Sequence, residues 1–104
     1  MTPADVLRAA ASRVRRGWTQ GANARDIDGV AVEAYSESAV CWCAVGAICA
    51  AADGSPSLAV EAVAAMDGAL RGGCAAFWND RPSRTAEQVA TQMEYTAARL
   101  DGAT

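Results

Sequence analysis

The chain contains neither lysine nor histidine, and all nine of its cations are arginine. Without histidine the commonest general base and metal ligand is missing. That absence weighs against Ser-His, Cys-His and zinc-hydrolase chemistry. Large aromatics are scarce too: three Trp, two Tyr and one Phe. No apolar run reaches the roughly 20 residues that a membrane-spanning helix needs, and Ala39–Ala52 reads instead as a buried helix. The N-terminus lacks the apolar region of a secretory signal. We therefore expect no membrane partner, a cytoplasmic location, and free thiols at Cys41, Cys43, Cys49 and Cys74. There is no Gly-rich phosphate loop, because Gly72-Gly73 has no following Lys.

What is present bounds the class. A chain of 104 residues reads as a single domain, 1–104. A domain of this size buries roughly 65% of its unfolded surface. Apolar residues make up 52% of the chain, many of them Ala. We expect a core of closely packed helices, with Trp18, Trp42, Trp78, Phe77, Tyr35 and Tyr95 dominating its packing. The net charge of −3 is unevenly spread. No cation lies between Ile27 and Leu70, where Asp28, Glu33, Glu37, Asp53, Glu61 and Asp67 fall. Arg8, Arg13, Arg15, Arg16 and Arg25 crowd the N-terminal stretch. Two faces of opposite sign are expected, and direct binding to nucleic acid, which needs a basic domain, is not.

Thr2 is a good N-cap, Pro3 suits a first turn, and Asp5 complements the positive helix end. Val6, Leu7, Ala10, Ala11 and Val14 recur at helical spacing up to Arg16, and Gly17 stops the helix. Ala22–Ile27 and Val30–Tyr35 flank Asp28-Gly29, which predicts a β-hairpin on a two-residue type I′ turn. Ser36 or Ser38 is expected to cap a central helix over Ala39–Ala52. Ser55-Pro56 opens a third helix, over Pro56–Arg71, ended by Gly72-Gly73. Cys74–Arg84 reads as a connector. Thr85 with Gln88 forms a capping-box pattern at the head of the last helix. The predicted architecture is mainly α: four helices with a short hairpin after the first, or alternatively an α+β fold with a larger sheet.

The candidate sites follow from residue chemistry. On a helix, Cys41 and Cys43 would diverge by about 200°, so they do not converge on a metal. We expect no metal site and no cofactor. Cys43 is the candidate nucleophile, because an early helical position would help a thiolate and Arg25 or Arg84 could supply a cation. Asp26-Ile27-Asp28-Gly29 superficially matches a calcium loop, but aligning Gly29 on the required Gly puts Ala24 and Tyr35 at ligand positions. It reads as a turn. Phe77-Trp78-Asn79-Asp80-Arg81-Pro82 has two readings. Asn79 and Asp80 organise the loop while Arg84 pairs with a carboxylate, or Trp78, Asn79, Asp80 and Arg84 line a pocket.

Together these residues resemble an uncharacterised family of small proteins from actinobacteria, their relatives and their phages. The similarity lies in Trp18-x-Gln20-Gly21-Ala22-x-Ala24-Arg25-Asp26 followed by Gly29, in Trp42-Cys43-Ala44-x-Gly46-Ala47, and in Trp78-Asn79-Asp80-x-Pro82-x-Arg84-Thr85. Ser83 stands where members often have Gly. The resemblance implies no activity. It directs attention to Arg25, Asp26, Trp42, Cys43, Asn79, Asp80 and Arg84, and makes a host-interaction or anti-defence role an expectation. The reading is a non-catalytic binding module for a protein partner or a nucleotide-like ligand, with Arg25, Asp26, Trp42, Trp78, Asn79, Asp80 and Arg84 as its binding residues. A Cys43-dependent thiol enzyme is the alternative. Ala-rich helices such as Leu58–Leu70 also leave a homodimer open.

Overall fold

In the computed structural model, residues 1–71 and 73–102 are described. Among them are five helices and a three-stranded antiparallel sheet of very short strands, in a fold about 55% helical. The mainly helical expectation holds at this level. The helix count and several boundaries do not.

Helix α1 runs over Pro3–Arg16 as expected. The Asp5 amide donates to Thr2 Oγ1 at 3.2 Å, and the Thr2 amide donates to Asp5 Oδ2 at 2.9 Å, closing a capping box. Val6, Leu7, Ala10, Ala11 and Val14 are buried. Gly17 ends the helix, and the position demands glycine because an added Cβ would lie 2.1 Å from the Val40 carbonyl oxygen.

The segment after α1 forms less hairpin than expected and more sheet. Strand β1 (Ala24–Arg25) is central. It pairs with β2 (Ala31–Val32), Ala24 opposite Val32, and with β3 (Cys41–Trp42), Ala24 opposite Trp42. The turn is not type I′: of Asp28 and Gly29 only Gly29 has positive φ. The Gly29 amide instead donates to the Asp26 carbonyl at 3.0 Å, and the Asp26 amide to the Val30 carbonyl at 2.9 Å. This is a type I turn followed by a left-handed glycine.

Strand β3 also shortens the second helix. α2 spans Ala44–Ala51, not Ala39–Ala52. The Val40 amide donates to the Arg25 carbonyl (2.9 Å) and the Cys43 amide to the Asn23 carbonyl (3.1 Å), so residues 40–43 pair with extended chain instead of winding. Ser36 and Ser38 bond each other in a turn, and Cys43 is the N-cap. Helix α3 spans Pro56–Ala69, capped by Ser55, with Leu70 at its C-cap; it ends short of Arg71. Gly72, half of the expected stop signal, lies outside the described residues. The expected connector contains a short helix, α4 (Ala75–Asn79). Helix α5 (Ala86–Leu100) begins with the expected Thr85–Gln88 capping box.

The element packed most widely is α1, which lies on α5, α2 and α3. It takes the central place expected of α2. Leu7, Ile48, Met66 and Met93 are the largest fully buried hydrophobics, surrounded by alanines. Of the aromatics expected to dominate packing, only Trp42 is fully in the core, while Phe77 (79% exposed), Tyr35 and Tyr95 face outward. Ala side chains let helices approach closely, and the gaps left are too narrow for rings. The expected segregation of charge is also locally broken. Arg8 pairs with Asp101 at 2.5 Å, and Arg15 bridges Glu87 (2.8 Å) and Glu94 (2.6 Å), tying α1 to α5. No helix among the described residues is long and apolar enough to cross a membrane.

Candidate functional site

The Trp78–Arg84 corner divides into a structural half and an open half. Asn79 is fully buried at the end of α4. Its Oδ1 accepts from Trp18 Nε1 (2.7 Å) and from the Ala44 amide at the head of α2 (3.0 Å). Its Nδ2 donates to the Thr19 carbonyl (3.2 Å) and to Asp80 Oδ1 (2.9 Å). Both ends of the amide are thus fully engaged. Asp80 Oδ1 also accepts from the Gly21 amide at 3.1 Å, and Gln20 Nε2 donates to the carbonyls of Asn79 and Arg81. Asn79 and Asp80 therefore sew α4 to residues 18–21 and to α2, as the loop-organising reading has it.

Three further candidates hold local structure. Arg25 donates to Thr19 Oγ1 (3.0 Å) and to the carbonyls of Gln20 and Gly29 (3.1 Å each), stapling the turn to the preceding loop. Asp26 Oδ1 accepts from the amides of Asp28 and Val30, both at 2.9 Å. Trp42 donates from Nε1 to the Ala34 carbonyl at 3.1 Å, and the Arg13 guanidinium covers its ring at 4.9 Å. None of these three joins Arg84.

Arg84 sits elsewhere and differently. Its guanidinium stacks on the Trp78 ring at 3.9 Å, and Nε donates to the Trp78 carbonyl at 3.1 Å. No carboxylate pairs with it among the described residues. Partial desolvation, then the neighbouring Arg81, lower its affinity for its proton. Trp78 and Arg84 form one end of an open groove of about 660 Å³, continued along α5 by Thr85, Glu87, Gln88, Thr91, Gln92 and Tyr95. Sequence reasoning missed these α5 residues. The signal was there: 88, 91, 92 and 95 share one side of a helix that starts just after Arg84. Glu87 is neutralised within the fold by Arg15, whose hydrogen bond is the main cause of its lowered pKa.

Cys43 faces a separate, smaller depression of about 340 Å³ with Gly21, Ala22, Asn23, Ala76 and Asp80. Its Sγ accepts from the Gly46 amide at 3.3 Å, as an N-cap, and its thiol points to Asn23 Oδ1 at 3.8 Å. Burial is the main cause raising its pKa; the Gly46 and Val45 amides pull the other way, and the Asp80 carboxylate adds to the rise. Neither Arg25 nor Arg84 contacts the sulfur. Cys41 lies in β3, not on a helix, and its thiol points to the Arg25 carbonyl. No group of three or more Cys, Asp or Glu among the described residues is placed to hold a metal ion.

The fold and this corner define a small helical domain whose N-terminal loop, sheet and fourth helix are knotted together by polar side chains, with an arginine-topped groove beside the knot. The chain belongs to a family of unknown function, DUF6197, whose model matches residues 1–99. Neither the curated proteins nor the solved structures contain a match to it.

Proposed function

We propose that the protein is a non-catalytic module that binds a protein partner through the Trp78–Tyr95 groove. The partner presents a carboxylate beside an apolar side chain. One observation carries this reading: the Arg84 guanidinium is held flat on Trp78, with Arg81 near it, and no acid among the described residues answers it. A preorganised arginine on an aromatic face suits a carboxylate. Trp, Tyr and Arg are also the residue types that most often dominate binding at protein interfaces. The groove is open along its length, whereas small-ligand sites enclose most of their ligand. That favours an extended segment over a nucleotide. Cys43 is left out of the chemistry because its sulfur caps a helix and its thiol is held protonated by burial.

The test is a selection of randomised displayed peptides on the wild-type protein, read out by binding to wild type and to Arg84→Glu. Selected peptides should share Asp or Glu next to an aromatic or aliphatic residue, and Arg84→Glu should weaken them by about 10-fold or more. Binders indifferent to residue 84 would overturn the assignment. A rise in melting temperature with mononucleotides, lost in Arg84→Glu, would transfer the groove to a small ligand.

A further inference from the structure

The charges of α5 are sorted around its circumference. Glu87, Glu94 and the C-cap Asp101 follow one another at seven-residue intervals, so they lie along one line of the helix. That line faces α1, where Arg15 holds both glutamates and Arg8 holds the aspartate. A different line runs beside the groove. Gln88, Gln92, Tyr95 and Arg99 share it, because steps of three and four residues return to one side of a helix. Glu87 borders the groove, but its carboxylate is taken by Arg15.

Each end of this second line carries a guanidinium on an aromatic ring. At the head of α5 it is Arg84 on Trp78. In the last turn the Arg99 guanidinium lies 5.8 Å from the centre of the Tyr95 ring, within cation–π reach. Tyr95 closes the far end of the groove and is 53% exposed. No acid among the described residues pairs with Arg99. The two clamps flank a helix of 15 residues and stand roughly 20 Å apart. Between them lie uncharged amides. Gln88 Oε1 accepts from the Thr85 amide at 3.1 Å, which leaves its NH2 to donate. Gln92 donates from its NH2 to Thr96 Oγ1 at 3.4 Å, which leaves its oxygen to accept. A donor and an acceptor one turn apart suit the C=O and N–H groups of an extended main chain.

We infer that the groove reads a segment with two acids: one carboxylate on Arg84 and a second, roughly six or seven residues away in extended chain, on Arg99. This rests on the Trp78–Tyr95 groove being the docking surface. Two modest anchors on one chain reinforce each other, since the first raises the effective concentration of the second. A single strand of nucleic acid would instead need cations along its whole length, and here they stand only at the ends.

Displayed peptides of about 12 residues, long enough to reach both clamps, are selected on wild type. Fluorescence anisotropy then compares their binding to wild type, Arg84→Glu and Arg99→Glu. Binders should carry two acids roughly six or seven residues apart, and Arg99→Glu should weaken them about 10-fold. Changing the second acid of the peptide to its amide should weaken wild-type binding by a similar factor and leave Arg99→Glu without further effect, the mark of a direct pair. Arg99 is exposed and rests only on Tyr95 among the described residues, so the variant keeps the fold. Binders weakened by Arg84→Glu but indifferent to Arg99→Glu would overturn the second anchor and leave the groove in place. Binders indifferent to both would remove the groove as well. Displacement of a selected peptide by a single-stranded oligonucleotide at equal affinity would overturn the peptide assignment.

Discussion

Asn79 joins three elements with one amide, and its replacement tests how much of the fold depends on that joint. Asn79→Ala leaves the half-buried Trp18 Nε1 and the buried Ala44 amide without their acceptor. Each stranded donor costs on the order of 1–3 kcal/mol. A loss of about 2–4 kcal/mol in urea denaturation is expected, a large share of a small domain's stability. A loss below about 0.5 kcal/mol would mean that water replaces the joint. The cysteines give a second residue-scale prediction. Cys74 is exposed, while Cys43 is buried with its thiol pKa raised. The thiolate is the reacting species, so iodoacetamide near neutral pH should label Cys74 rapidly and Cys43 only upon unfolding, as read by peptide mass spectrometry. Rapid labelling of native Cys43 would restore the thiol-enzyme reading.

Helix α2 meets the 21–24 loop so closely that a Cβ on Gly46 would lie 1.9 Å from the Asn23 carbonyl oxygen. Backbone must move to admit it. Gly46→Ala is expected to cost about 2 kcal/mol or more. Gly68→Ala should instead gain roughly 0.5–1 kcal/mol from helix propensity. Denaturant midpoints moving in opposite directions are the expected result. The α1–α5 clamp is tested by pH. Hydrogen bonds from Arg15 are the main cause holding the pKa values of Glu87 and Glu94 below their ordinary 4.5. Groups with folded pKa values depressed in this way stabilise the fold above the unfolded pKa, and that contribution disappears as pH falls through the folded one. The stability gap between wild type and Arg15→Ala should therefore be steady near neutrality and close below about pH 4. Because both acids are exposed, the gap is small and shrinks in salt. A gap that persists in acid would mean that Arg15 acts by packing alone.

At the scale of the whole molecule, α1 is the shared wall of the core. Leu7 is fully buried on it, in one cluster with residues of α2, α3 and α5. Leu7→Ala should remove about 3–4 kcal/mol. Trp fluorescence, which reports Trp18, Trp42 and Trp78 around the sheet corner and α4, and circular dichroism, which reports the helices, should be lost together. Separate transitions would show that the sheet corner and the helices are distinct cooperative units.

Local signals were readable wherever a side chain answers to its own segment. Thr2 with Asp5 and Thr85 with Gln88 are capping boxes in the sequence and in the fold. The heptad-like spacing of α1 and the Ser55-Pro56 start of α3 needed no tertiary information either. What stayed hidden depends on partners distant in sequence. Residues 40–43 are apolar enough for a helix, and they stay extended, with Cys41–Trp42 as strand β3, only because β1 and Asn23 offer them hydrogen bonds. Asn79 could have lined a pocket as readily as it bonds Trp18, and the distance between those residues along the chain hides the choice. The chain alone determined the helical class, the caps of α1, α3 and α5 and the list of residues worth watching, since propensity and periodicity act over a few residues. Tertiary structure alone decided that Asn79, Asp80 and Arg25 spend their polar groups as joints to other segments while Arg84 stacks on Trp78 with no carboxylate partner among the described residues, because whether a polar group is satisfied depends on which distant segment is folded against it.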